Sequence, residues 1–140
     1  MKYHFRVHDS GGLWAECIEL EGCRTEGRTR VALYRNMKEA LNLYLDEPES
    51  STALLPPPRD EIAGRGIVAV EVDPSVAFSL QLRQARVRAG LTQKEAARRL
   101  GMPNLFSYQR LERKPNPSLS TIKKVKSLFP ELSLDSVLGD

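Results

Sequence analysis

The sequence predicts an α+β protein of two domains, and three observations predict it. Apolar residues alternate with period two at the start of the chain and again near residue 70, whereas beyond residue 74 they recur every three or four positions. Two proline-containing breaks, Leu55-Pro56-Pro57-Pro58 and Asp73-Pro74, punctuate the chain between these regimes. The charge also changes sign: residues 1–60 carry eight Lys/Arg against ten Asp/Glu, and residues 61–140 carry thirteen against eight. The expected division is therefore 1–73, with a proline-rich loop at 46–65, and 74–140.

Tyr3, Phe5 and Val7 alternate with His4, Arg6 and His8, which predicts a half-buried strand over residues 3–8. Asp9-Ser10-Gly11-Gly12 supplies residues that tolerate a tight hairpin turn, and Leu13 to Cys17 reads as the returning strand. Gly22 and Gly27 bracket a short third strand around Cys23-Arg24-Thr25-Glu26. From Thr29, a suitable N-cap, to Leu45, the apolar residues Leu33, Met37, Ala40, Leu41 and Tyr44 mark one amphipathic helix. After the proline-rich loop, the β-branched run Ile67 to Val72 predicts a fourth strand. The first domain is thus expected to be βββαβ.

In the second domain a helix carrying Phe78, Leu82, Ala85 and Val87 runs to Ala89, where Gly90 suits its end. Thr92 and Glu95 form a capping-box pair for the next helix, whose inward residues are Ala96, Ala97 and Leu100 and which stops at Gly101. A third helix is expected from Asn104 to Arg113, a fourth from Ser118 or Ser120 to Phe129, and a short fifth from Leu134 to Leu138. Five short helices make an all-α bundle.

The composition narrows the function. The chain has 140 residues and a net charge of +3, and every apolar run is interrupted by charge well before the ~18–20 residues of a membrane span. The N-terminus lacks the apolar core of a signal peptide, so a cytoplasmic location is expected. Domains of about 60–70 residues bury only roughly 60% of their unfolded surface, which makes self-association expected. Cys17 and Cys23 with His4 and His8 form a thin zinc set, but the C-x5-C spacing fits no common structural zinc pattern. Two thiols packed as small hydrophobes are the simpler expectation, and no metal or cofactor is called for.

Residues 78–126 carry twelve Lys/Arg against only Glu95 and Glu112, a bias that favours a polyanion. Two short helices joined across Gly101 inside that segment meet the needs of a helix-turn-helix, because Gly permits the tight turn and Ala96 and Ala97 permit close packing. The string from Leu91 to Gly101, with Leu111-Glu112 and Asn116-Pro117-Ser118-Leu119, resembles the Xre/Cro or lambda-repressor-like DNA-binding family over about residues 78–128. The resemblance implies that Gln93 contacts phosphate and that the exposed side of the third helix reads bases. This chain has one residue more than the usual pattern between Gly101 and Leu111, and one fewer between Glu112 and Asn116.

Periodicity turns Met102, Tyr108 and Leu111 inward and leaves Asn104, Phe106, Ser107, Gln109 and Arg110 as readers. Asn and Gln can contact adenine with two bonds, Arg can contact guanine, and Phe can touch a thymine methyl. The competing reading of Phe106 is a core aromatic displaced by the extra residue. Arg113 and Lys114, at the helix end, suit phosphate neutralisation.

The first domain carries a second resemblance. Asp9 to Ala15, Leu20 to Gly27, Asn36 to Leu45, Leu55 to Pro58 and Val72 to Ala77 look like the HicB antitoxin family in the same order. Ile18-Glu19-Leu20-Glu21-Gly22-Cys23 replaces that family's Pro-Asp-Leu-Pro-Gly-Cys run, and Arg30-Val31-Ala32 replaces its acidic helix start. The resemblance implies a partial ribonuclease-H-like fold for residues 1–73 that blocks a HicA-type mRNA-cleaving toxin. It also implies that the second domain binds operator double-stranded DNA as a homodimer or dimer of dimers. Asp9 and Trp14 are the residues taken as toxin-binding, beside their plainer readings as a turn-former and a packing aromatic.

An enzyme is not expected. Asp9, Glu16 and Glu26 could in principle hold Mg²⁺ on a ribonuclease-like sheet, but they fall in a turn, a strand and a strand end, with no helix carboxylate facing them. The alternative to the antitoxin is a stand-alone transcriptional repressor with an N-terminal sensor domain.

Overall fold

The computed structural model describes residues 1–46, 52–113 and 115–139. The chain divides into two compact units, one formed mainly by residues 1–46 and 55–72 and the other mainly by residues 73–138. The first contains β1 (Lys2–His8), β2 (Trp14–Cys17), β3 (Arg24–Glu26), α1 (Arg30–Asp46) and β4 (Ile67–Glu71), the βββαβ order that the patterning predicts.

These strands form one sheet in the order β3-β2-β1-β4, with every neighbouring pair antiparallel. The β1–β2 hairpin closes through Gly11 and Gly12, both at positive φ, in register Phe5 to Cys17 and His8 to Trp14. Tyr3, Phe5, Ala15, Cys17 and Val70 are buried on one face. Over them lies α1, whose buried residues Leu33, Met37, Leu41 and Leu45 recur every four positions. The backbone approaches closest at Gly27, where β3 turns into α1: a Cβ there would lie 2.6 Å from the Leu33 backbone nitrogen.

The antiparallel sense of β4 explains the length of the connection before it. β4 enters beside Arg6 and leaves beside Lys2, so the chain returns along the sheet between α1 and β4. Part of that return is tied down: the Tyr3 hydroxyl donates to the Pro56 carbonyl at 2.8 Å, and the Arg59 amide donates to Glu19 Oε2 at 3.1 Å. Residues 47–51 of the expected 46–65 loop lie outside the described residues.

His4 departs from a simple alternation reading. It stands on the face opposite Tyr3 and Phe5, as expected, yet it is buried because Glu19 folds against it. Glu19 Oε1 accepts from the His4 amide and Oε2 meets His4 Nδ1, both at 2.8 Å. Beyond Phe5 the carboxylate takes the place of a strand carbonyl. Cys17 and Cys23 are free, buried thiols, and the hydrogen bond to Cys17 together with burial pushes the Cys23 thiol up.

The second unit contains α2 (Pro74–Arg88), α3 (Gln93–Arg99), α4 (Leu105–Leu111), α5 (Leu119–Leu128) and α6 (Leu134–Leu138). Pro74 opens α2 at a position where its missing N–H costs nothing. The helix ends in a paired turn, Gly90 N–H to Val87 O at 3.0 Å and Leu91 N–H to Arg86 O at 3.1 Å. Phe78, Leu82, Ala85, Leu91, Ala96, Ala97, Leu100, Tyr108, Leu111, Val125 and Phe129 are buried. Polar ties join the helices: Ser79 Oγ donates to Leu111 O, and the Ser133 amide donates to Gln81 Oε1. Ser118, not Ser120, caps α5, accepting from the Thr121 amide.

Candidate nucleic-acid interface

The candidate interface is built on α3, the turn after it, and α4. Thr92 Oγ1 accepts from the Glu95 amide at 3.1 Å, while Glu95 reaches back to Thr92, completing the capping box that the sequence predicts. At its other end α3 stops in the same paired turn as α2: Gly101 N–H to Arg98 O and Met102 N–H to Ala97 O. Gly101 sits at φ +69°, open to either side, so the backbone conformation rather than space demands glycine here. Asn104 then caps α4, accepting from the Ser107 amide at 2.8 Å and the Ser107 hydroxyl at 3.0 Å.

α4 is shorter than the Asn104–Arg113 span expected, because Asn104 is the cap rather than the first turn and the helix closes at Glu112. Tyr108 and Leu111 point inward as predicted. Leu105, Phe106 and Arg110 lie exposed, with Gln109 half-exposed between them. Phe106 is 67% exposed, so the displaced-core reading of this ring does not hold. Ser107 is half-buried and its hydroxyl serves the cap, which sets it apart from that outward arc. Arg113 is exposed just beyond the helix, and Lys114 lies outside the described residues.

A chain of hydrogen bonds sets the pose of two predicted contact residues. Gln109 Nε2 donates to Gln93 Oε1 at 3.2 Å, and Gln93 Nε2 donates to Glu112 Oε1 at 3.2 Å. Glu112 in turn receives Arg86 through two bonds, Nε to Oε2 at 2.7 Å and Nη2 to Oε1 at 3.1 Å, and Arg86 Nη1 donates to Leu91 O. Both partners of this fork are buried. Tyr108 is packed beside them, and burial with the neighbouring Glu112 pushes its phenol up. The outward Gln109 amide is therefore connected, through Gln93, to a buried ion pair that joins α2 to the end of α4.

That pair corrects the charge reading. Arg83, Arg86 and Glu112 are buried, so none of them belongs to a solvated basic face. The exposed cations of this unit include Arg88, Lys94, Arg98, Arg99, Arg110, Arg113, Lys123 and Lys124. The Arg86–Glu112 fork is the feature that sequence reasoning missed. The string Leu111-Glu112 was visible, but a buried carboxylate looks like any other until the helix opposite it is placed.

Asp9 and Trp14, the residues taken as toxin-binding, sit at the β1–β2 hairpin. Asp9 is exposed and lies 3.6 Å from Arg30, and Trp14 stacks on His8 with ring centroids 4.2 Å apart. His8 Nε2 lies 3.1 Å from Glu16 Oε1. Asp9, Glu16 and Glu26 do not converge into a metal site: among the described residues no group of three or more His, Cys, Asp or Glu could hold a metal ion. No helix among those residues is long and apolar enough to cross a membrane.

Residues 82–136 match the helix-turn-helix family, a span that begins within α2 and includes α3 to α5. No curated protein matches the chain. The match supports a DNA-binding helix-turn-helix of the transcription-regulator kind in the C-terminal unit.

Proposed function

We propose that this chain is an antitoxin of the HicB kind, in which residues 1–73 bind and block a HicA-type mRNA-cleaving toxin and the helix-turn-helix represses the operon that encodes both. The observation that carries the proposal is the pairing, in one chain, of a DNA-reading helical unit with a separate βββαβ unit that DNA binding does not require. The HicB-like motifs fall along that unit in order, and its partial ribonuclease-H-like character is part of the same proposal.

An mRNA-cleaving toxin must attract a polyanion, so its active face is basic. A blocker with an acidic excess meets that need without chemistry of its own. The hairpin carries the exposed acid Asp9 beside the half-buried His8–Trp14 stack, a combination suited to anchoring on a protein surface. On the DNA side, Arg110, Gln109 and Phe106 read bases, with Asn104 and Ser107 at the helix entry. Gln93, Arg113 and Lys114 serve phosphate contact. The regulator acts in the cytoplasm as a homodimer or dimer of dimers on a two-fold operator.

Co-expression of the chain with its neighbouring reading frame tests this, reading complex formation by tagged pull-down and growth rescue together. Rescue that survives Arg110→Ala but is lost on Trp14→Ala is the expected result. Absence of both complex and rescue would contradict the antitoxin reading and leave a repressor whose N-terminal domain senses something else.

A further inference from the structure

The two edges of the sheet are treated differently. β3 is guarded: it is three residues long, two of them charged, and Asn36 Nδ2 donates at 2.8 Å to the Glu26 carbonyl that its edge would otherwise offer. β4 has no such guard. It is Ile67-Val68-Ala69-Val70-Glu71, β-branched, free of proline and lysine.

Its ladder bonds fix which groups face outward. The Val7 amide donates to Gly66 O at 2.8 Å and the Val72 amide to Met1 O at 2.9 Å, so alternate residues from Gly66 to Val72 direct their backbone at β1. Ile67, Ala69 and Glu71 direct theirs away from it. Among the described residues no backbone partner occupies those outward groups at Ile67 and Ala69, and Ala69 is exposed.

We infer that β4 is a self-association edge, and that its occupant is β4 of a second copy of this chain, antiparallel across a two-fold axis. Charge decides for a second copy. The strand has Arg65 just before it and Glu71 at its end; Glu71 Oε1 accepts from the Met1 ammonium at 3.1 Å and the carboxylate stays part-exposed, so the strand is basic at its entry and offers a carboxylate at its exit. An antiparallel pairing of identical strands that sets Ile67 opposite Ala69 places Arg65 of one copy opposite Glu71 of the other, at both ends of the interface. A parallel pairing of the same strands would set like charges together. The inference concerns this edge alone and does not rest on the antitoxin reading.

The test is sedimentation equilibrium of the full chain without nucleic acid. Ala69→Pro removes the outward donor while leaving the bonds to β1, which come from Val68 and Val70, in place. It should remove one association step or weaken it by about tenfold or more. Arg65→Glu should weaken the same step, and adding Glu71→Arg should restore it. Arg65 is exposed and outside the strand, so the first change disturbs no element, and because the second also removes the bond between Glu71 and the Met1 ammonium, the circular dichroism of the double variant is matched to wild type before its association is read. A monomeric wild-type chain, an Ala69→Pro variant with unchanged association, or an Arg65→Glu/Glu71→Arg pair that fails to restore association would each overturn the inference.

Discussion

Glu112 and Glu19 are both buried carboxylates, and each is kept by a different set of donors. Glu112 is gripped by the Arg86 guanidinium and bridged to Gln93. Taking both charges out of water gains little net stability, but removing one leaves the other orphaned. Glu112→Ala should therefore cost about 3–5 kcal/mol in denaturant unfolding, while an apolar replacement of Arg86 and Glu112 together should cost much less. Glu19 is held below the usual carboxylate range: its own burial opposes ionisation, and the hydrogen bonds from His4 and the Arg59 amide outweigh it. A depressed folded-state value means that this stability is present above the unfolded value and is lost as pH falls through the folded one. Glu19→Gln should accordingly flatten the loss of stability below about pH 4.5, read from unfolding midpoints across the acid range. Neither burial was legible in the sequence. Glu112 stood in a basic run and Glu19 between two expected strands, and only the arrival of Arg86 and His4 from distant positions makes them interior groups.

At the scale of elements, much more was legible, because caps and glycines act locally. The capping box at Thr92 and Glu95 and the turns at Gly90 and Gly101 were predictable from spacing, whereas the start of α5 was narrowed only to Ser118 or Ser120, and Ser118 is the cap. Thr92→Ala should cost about 1 kcal/mol, measurable as a lower unfolding midpoint of the helical unit. Gly27→Ala should cost more, about 1–3 kcal/mol, since a Cβ 2.6 Å from the Leu33 nitrogen forces β3 and α1 apart. Thermal unfolding of the two variants side by side separates the effects. The direction of β4 was not legible. Its alternation marked a strand, but sense and neighbours depend on where a long connection returns, which no local signal encodes. The start of α4 was misjudged for a local reason: Asn104 suits both a first turn and a cap, and the cap prevails because its side chain satisfies the Ser107 amide.

For the whole molecule, the charge asymmetry seen in the sequence survives folding only in part. Arg83 and Arg86 withdraw into the helical unit, and the exposed cations that remain include Arg98 and Arg99 on α3 and Arg110 on the outward arc of α4. The direct base contacts assigned to that arc require Phe106, Gln109 and Arg110 to reach one groove. Gln109 is pre-positioned through Gln93, so Gln93→Ala should weaken binding even where Gln93 itself touches only phosphate. Equilibrium binding of the full chain to duplex DNA from its own upstream region, titrated against salt, tests the central claim most directly. A specific complex is expected, its log K falling by ~0.9 per phosphate neutralised and its preference over random duplex largely lost on Arg110→Ala. Equal affinity for random duplex, or affinity indifferent to salt, would contradict the assignment of α3 and α4 as the operator-reading face.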